Sequence, residues 1–282
     1  MLPHEYVRSG RDLEMVFLDV GQGDCVFART PDGKYALLDA GGRPYWLRDD
    51  PFEPGRDVVL PYLRSRGVTR LDAAVVSHPH GDHFGGFFAI LPAVTVVHFF
   101  DNGYRKGDPD YPALLDAVTA HLLIPYHRIR AGDHWSAGGI TVQVLFPPDV
   151  FPFDHANNTS VVLLVTYRSF TALLMADAER EVEDLLLHQA GILRKVDVLK
   201  VGHHGSRTSS SRAFLSRVRP DAAVVCCGRG NRYGHPHPET VKRFADIDTI
   251  LYRTDRHGDI TVLTDGDRFT VSPSTYVRTQ RY

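Results

Sequence analysis

At 282 residues, with 43% hydrophobic and 23% charged side chains, the chain has the balance of an ordinary globular protein, sized for one large α/β domain or two small ones. A formal net charge of -2 argues against a generally basic, nucleic-acid-coating surface and leaves room for a local basic groove. Cys25 and the vicinal pair Cys226 and Cys227 form no disulfide framework, residues 1–10 lack a signal-type apolar core, and no run reaches membrane-span length, so the chain reads as soluble and cytoplasmic.

In chain order, Glu14–Val20 predicts a strand, Gly21-Gln22-Gly23-Asp24 a turn, Cys25–Thr30 and Tyr35–Leu38 two further strands, and Arg43–Arg56 an exposed loop. Helical spacing follows over Val58–Gly67, then a strand over Leu71–Val76 and a helix over Phe84–Leu91. Val94–Phe100 reads as a strand and Ala113–Leu122 as a helix. His127–Trp135 and Ile140–Pro147 read as two strands joined at Gly138-Gly139, and Val161–Tyr167 with Thr171–Met175 as an apolar hairpin turned at Arg168-Ser169. Glu179–Gln189 predicts an amphipathic helix burying Val182, Leu185 and Leu186. Val196–Val201 and Ala222–Cys227 predict buried strands, Ser209–Val218 and Glu239–Ala245 helices, and Thr249–Tyr252, Asp259–Thr264 and Arg268–Ser272 closing strands. No linker, repeat or composition break divides the series, so residues 1–282 read as one domain with residues 1–12 as an N-terminal extension.

The densest chemistry is His78-Pro79-His80-Gly81-Asp82-His83, directly after the Leu71–Val76 strand. On an extended turn His78 and His80, two apart, can face one point, and Asp82 and His83 on the next bend can face a second. Imidazole nitrogen and carboxylate oxygen are the donors that zinc, manganese and iron take. Gly81 and the Gly85-Gly86 pair permit the tight backbone path that such crowding needs.

The pattern His-x-His-x-Asp-His at a strand end resembles the signature of the metallo-β-lactamase superfamily, which implies an α/β fold: an αββα four-layer sandwich with metals at one edge of the two sheets. On that resemblance Asp177, at the tip of an apolar strand, matches the bridging aspartate, His203 the last histidine ligand, and Asp39 a residue supporting the metal loop. Asp177 alone would also suit a helix N-cap. Where many members carry a further histidine, this chain reads Asp154-His155-Ala156-Asn157-Asn158-Thr159-Ser160, so Asn158, or else His155, would fill the position.

That segment, together with Phe17–Asp24, Leu38–Gly41, Leu199–Ser206, Asn231-x-Tyr233-Gly234-His235-Pro236 and Thr254-Asp255-x-x-x-Gly258, resembles the metallo-hydrolase domain of ComEC-type DNA-uptake proteins. Those domains often carry Ala where this chain has Gly81, a difference expected to matter little. The resemblance implies a metal-dependent phosphodiesterase or nuclease acting on DNA, expected as a single strand. Two divalent ions would then sit in the site, His78 and His80 on one, Asp82, His83 and His203 on the other, and Asp177 between them. An amide ligand favours manganese, with zinc as the alternative.

Lys200, His204, Ser206 and His235 are candidate phosphate contacts or proton donors. Arg207, Arg212, Arg229, Arg232 and Lys200 gather near these positions in sequence, and Tyr233 could stack on a base. Two other readings share the scaffold: a hydrolase of a lactone, thioester or phosphocholine-type ester, and a non-catalytic metal-binding partner in a defence or uptake system. An excised domain of a membrane protein would work at the extracellular face.

Overall fold

The short apolar runs pair into two mixed sheets. A computed structural model describes residues 10–43 and 51–274; residues 1–9 of the expected N-terminal extension and 44–50 of the expected Arg43–Arg56 loop lie outside the described residues. β1 (Leu13–Phe17), β2 (Val26–Arg29) and β3 (Tyr35–Leu38) form an antiparallel meander. Helix α1 (Leu60–Ser65) precedes β4 (Arg70–Leu71) and β5 (Ala73–Val75). Then come α2 (Gly81–Phe84), α3 (Phe87–Ile90), β6 (Thr95–Val96), β7 (Phe99–Asp101), α4 (Tyr111–Asp116) and β8 (Tyr126–Arg128). β3, β5, β7 and β8 run parallel, while β4 and β6 make a small separate ribbon.

The second sheet repeats that plan. β9 (His134–Ala137), β10 (Ile140–Phe146), β11 (Val162–Tyr167) and β12 (Phe170–Leu174) are antiparallel. After α5 (Arg180–His188), β13 (Val198–Lys200), α6 (Arg212–Val218), β14 (Ala222–Val225), α7 (Pro238–Ala245) and β15 (Ile250–Arg253), the sheet continues in parallel. Helix α8 (Thr254–His257) returns the chain to the first sheet as β16 (Ile260–Thr264) and β17 (Phe269–Pro273), giving the order β17-β16-β1-β2-β3-β5-β7-β8.

Strands buried on both faces explain the continuous apolar runs. Leu37 packs outward under the helices while Leu38 packs between the sheets. Leu163, Leu174 and Val198 likewise face the inter-sheet core, and their neighbours Leu164, Leu173 and Leu199 face the second helical layer. Three apolar layers separated by two sheets make the expected αββα sandwich.

Several expectations need correction. Leu71–Val76 and Val94–Phe100 are each divided, with β4 and β6 paired in the small ribbon and β5 and β7 in the first sheet. His127–Trp135 is two strands: β8 closes the first sheet and β9 opens the second, because Asp133 Oδ2 accepts the Arg130 amide at 2.9 Å and bends the chain between them. In α5, Val182 and Leu186 are buried but Leu185 is 36% exposed; Glu183 takes an inward place, accepting the Ser211 amide at 2.8 Å.

Each sheet changes from antiparallel to parallel pairing once, between β3 and β5 and between β12 and β13. The carboxyl ends of strands beside such a switch leave a crevice, because the connections on either side diverge. Both crevices open at the same edge of the sandwich.

Candidate metal centre

The first sheet contributes one loop. After β5, Ser77 donates its amide and its hydroxyl to the Asp39 carboxylate, both at 2.7 Å, and Asp39 Oδ2 lies 2.8 Å from His83 Nδ1. Asp39 itself follows β3 with φ 56, a left-handed conformation that asparagine and aspartate tolerate best among side-chain-bearing residues. Asp39 thus lies beneath the loop, against Ser77 and His83. With Nδ1 engaged, His83 presents Nε2 to the interior of the site. His78 and His80 meet nitrogen to nitrogen, Nε2 to Nδ1, at 3.0 Å.

The backbone packing around this loop is tight enough to select glycine. A Cβ on Gly81 would lie 2.5 Å from Arg43 O and 2.6 Å from Asp108 Oδ2, which already accepts the Gly81 amide at 2.7 Å. The expectation that alanine would be interchangeable here is therefore corrected. Asp108 and the chain at Arg43 occupy the space an alanine methyl needs.

The second sheet contributes two strand ends, those of β12 and β13. Asp177 follows β12, and its Oδ2 is 3.4 Å from His83 Nε2 and from His204 Nε2, and 3.9 Å from the Nε2 atoms of His78 and His203. His204 Nε2 is also 3.4 Å from Asp82 Oδ2. His83 Nε2, His204 Nε2, Asp177 Oδ1 and Asp24 Oδ1 are buried without a hydrogen-bond partner. Each orphaned buried polar atom costs about 1–3 kcal/mol, so their convergence fits a cationic occupant. The donors of His78, His83 and Asp177, or alternatively those of Asp82, His83 and His204, lie close enough together to hold an ion, and the single free nitrogen of His83 can serve one of the two sets.

Both histidines after β13 approach Asp177, His204 the nearer at 3.4 Å and His203 at 3.9 Å, and His204 also reaches Asp82; its Nδ1 is 3.0 Å from Cys226 O, and it is buried. His203 instead has Nδ1 2.7 Å from Glu179 Oε1 and lies at the wall of the cavity. Both residues have positive φ, 45 and 52, as does Ala176 at 46. Left-handed backbone at consecutive non-glycine residues is strained, and it turns two adjacent imidazoles to different neighbours.

Other expected site residues divide. Asn158 turns away from the centre: its Oδ1 accepts the Glu179 amide at 3.0 Å and its Nδ2 donates to Glu181 at 3.2 Å. His155 is exposed; Asn157 instead lines the cavity, with Nδ2 3.3 Å from His203 Nε2. Lys200 is 1% exposed, ion-paired with Asp24, and donates to Ala176 O at 2.8 Å, so it is unavailable to a substrate phosphate. Ser206 is buried with its hydroxyl against Thr208 Oγ1 at 2.9 Å. His235, Tyr233, His80 and Asp82 line the same cavity, about 170 Å³ in volume, and Arg232 lies over the Tyr233 ring at 5.2 Å.

In the sequence Asp24 reads only as part of a glycine turn. It is fully buried behind His83 and His204, at 3.8 and 3.4 Å from their Nδ1 atoms. Burial works against its ionised form, but Lys200, His204 and His83 outweigh burial and hold the carboxyl below its ordinary range. Asp82 is likewise opposed by burial and held down at about 2 by His204 and His83. Burial and the nearby His204 and His203 push His235 down to about 4, so it is neutral at pH 7.

The sequence profile of the metallo-beta-lactamase superfamily matches residues 18–229, and the chain belongs to that superfamily. The fold is thus one of metal-dependent hydrolases and implies divalent metal ions. Within it the chain resembles ComEC-type proteins. It is 30% identical over 255 residues to ComE operon protein 3 of Bacillus subtilis, covering 88% of this chain and 32% of that protein. It is 31% identical over 244 residues to competence protein ComA of Neisseria gonorrhoeae, covering 85% of this chain and 30% of the relative. The chain therefore spans about a third of the length of these relatives. In fold it is similar to the metallo-beta-lactamase fold protein YhfI of Bacillus subtilis, with TM-score 0.58 and 14% identity, covering 90% of this chain and 100% of that one. Among the described residues, no helix is long and apolar enough to cross a membrane.

Proposed function

We propose that the protein is a phosphodiesterase or nuclease acting on DNA, with two divalent ions held between the sheets. The carrying observation is the set of buried, partnerless donor atoms converging on Asp177, joined by four imidazole Nε2 atoms within 3.9 Å of its Oδ2. The names of the competence relatives direct the reading to DNA. We also propose that the expected single domain, residues 1–282, carries the whole site.

His78 and His80 would hold one ion and Asp82, His83 and His204 the other, with Asp177 contributing to both sets. His203, fixed by Glu179, stands near enough to Asp177 to complete the first set. Such ions supply a hydroxide nucleophile near neutral pH and screen the charge on phosphate oxygens.

The chain's own residues set the geometry. Asp39 and Ser77 fix the tautomer and orientation of His83, the Cys226 carbonyl orients His204, and Asp24 with Lys200 places a balancing charge behind both. Neutral His235 has a buried, partnerless Nδ1 and lies 5.5 Å, ring to ring, from His203, a position suited to exchange a proton with a leaving oxygen. Exposed Tyr233 stacks on His235 with the Arg232 guanidinium over its ring at 5.2 Å, and a base could stack there by displacing that side chain. With Asn158 turned away, the amide argument for manganese lapses. The imidazole and carboxylate set suits zinc, manganese and iron alike.

The test is metal-dependent cleavage of end-labelled single-stranded and duplex DNA by protein loaded in turn with zinc and with manganese, beside Asp177→Ala. Cleavage lost in the variant supports the reading, and the label pattern separates end-trimming from internal cutting. Intact DNA under both loadings would overturn it.

A further inference from the structure

Beside the metal cluster, α5, the 206–211 loop and α7 enclose a second cleft of about 360 Å³, lined by Arg180, Arg207, Arg212, Lys242 and Arg243 with Glu239. Like charges so concentrated repel one another unless an anion enters, and the chain as a whole carries a net charge of -2. Some of these cations are already engaged. Asp246 pairs with Arg212 at 3.0 Å and Lys242 at 2.7 Å. Arg243 donates to the carbonyls of Ser209, Ser210 and Arg207 at 2.7, 2.8 and 3.0 Å. Arg180 and Arg207 are exposed and have no carboxylate partner among the described residues.

The cleft is joined to the metal site by short contacts. The Arg180 amide donates to Thr208 O at 2.9 Å, Thr208 Oγ1 donates to Glu179 Oε1 at 2.6 Å, and that oxygen lies 2.7 Å from His203 Nδ1. Beyond His203 stand His235, at 5.5 Å between ring centroids, and the stacked, 44% exposed Tyr233. The Arg180 and Arg207 guanidinium groups and the exposed Tyr233 ring, with Arg232 over it at 5.2 Å, are thus both linked through His203 to the candidate metal site. Guanidinium forks match phosphate oxygens in pairs, and an aromatic face accepts any base.

We infer that the Arg180–Arg207 cleft holds backbone phosphates of a single nucleic-acid strand whose reacting bond lies at the metal cavity. This rests on the phosphodiesterase reading above and adds a binding subsite to it. It makes the protein a reader of polymers rather than of isolated phosphodiesters.

The test is fluorescence anisotropy of the full chain, metal-loaded, with a labelled phosphorothioate oligonucleotide of roughly 20 nucleotides, longer than one binding site and resistant to cleavage. Each phosphate contact on a single strand contributes roughly 0.7 to the slope of log K against log salt. Arg180→Ala combined with Arg207→Ala should therefore lower that slope by roughly 1.4 and weaken binding about tenfold at moderate salt. Lys195→Ala is the control, since Lys195 is an exposed cation paired with Asp221 at 2.8 Å and lies outside the cleft. Arg207→Glu should weaken binding further. An unchanged slope in arginine variants that melt like the wild type overturns the inference, as does equal binding of polyglutamate. Turnover of a small chromogenic phosphodiester by the wild type reads the metal site separately. If turnover fails while the slope still falls, the strand subsite stands and the hydrolytic reading does not.

Discussion

The two sheets build their halves of the site by opposite means. The first supplies His78, His80, Asp82 and His83 from one loop, clamped by Asp39, Ser77 and the glycine contacts. The second supplies Asp177, His203 and His204 from separate strand ends, through left-handed residues at 176, 203 and 204. The first half is a local device whose geometry follows from spacing and packing. The second exists only because β12 and β13 lie side by side. Function depends on both, since Asp177 reaches imidazoles from each half.

The sharpest way to break the comparison is to remove the shared residue. Asp177→Ala should reduce hydrolysis on the order of 10⁴-fold, about 5 kcal/mol of barrier, with bound metal measured by mass spectrometry falling in parallel. Next, Lys200→Met should destabilise the fold by about 3–5 kcal/mol, because it leaves Asp24 buried without its cation. Chemical denaturation with and without metal would read this, and unchanged stability would remove the charge-balancing role. The histidine pair sharpens the contrast: His204→Ala should lose about 100-fold in metal affinity and His203→Ala only about tenfold. Equal losses would make the two interchangeable. Gly81→Ala probes the first half alone and should cost about 2 kcal/mol in thermal unfolding, through overpacking against Arg43 O and Asp108.

The smallest expected effect is on pH. In the metal-free protein, burial opposes charge on His83 and His204, but Asp177, with Asp39 for His83 and Asp24 and Asp82 for His204, outweighs it and raises both above the ordinary imidazole range. A raised folded-state pKa stabilises fully below the unfolded value of about 6.5 and loses that contribution as pH rises through the folded value. Metal-free protein should therefore lose stability toward alkaline pH. Because an ion displaces these protons, metal affinity should fall about tenfold per proton for each unit of acidification, as metal titrations at two pH values would show.

What was legible in the sequence follows the same division. The His78–His83 motif could be read directly because its donors are neighbours in the chain. The strands could be read because continuous apolar runs mark segments buried on both faces. The division of His127–Trp135 between two sheets escaped, since a bend made by Asp133 leaves no mark on hydrophobic periodicity. The choice between His203 and His204 escaped because backbone handedness decides which imidazole turns inward. Asp24 escaped because its partners lie far along the chain, at Lys200 and His204, although the glycine turn that carries it was visible.

The seam between the halves also bears on how the molecule assembles. Asn102 donates to Ser77 O at 3.2 Å and to Thr159 O at 2.8 Å, while the Val161 amide donates to the same Ser77 carbonyl at 3.0 Å. These contacts join segments distant in the chain, and such closures form late because loop entropy must be overcome first. The cation-holding geometry thus arrives only when the sandwich closes. In refolding experiments, metal capture should lag behind secondary structure and coincide with the final, slowest phase.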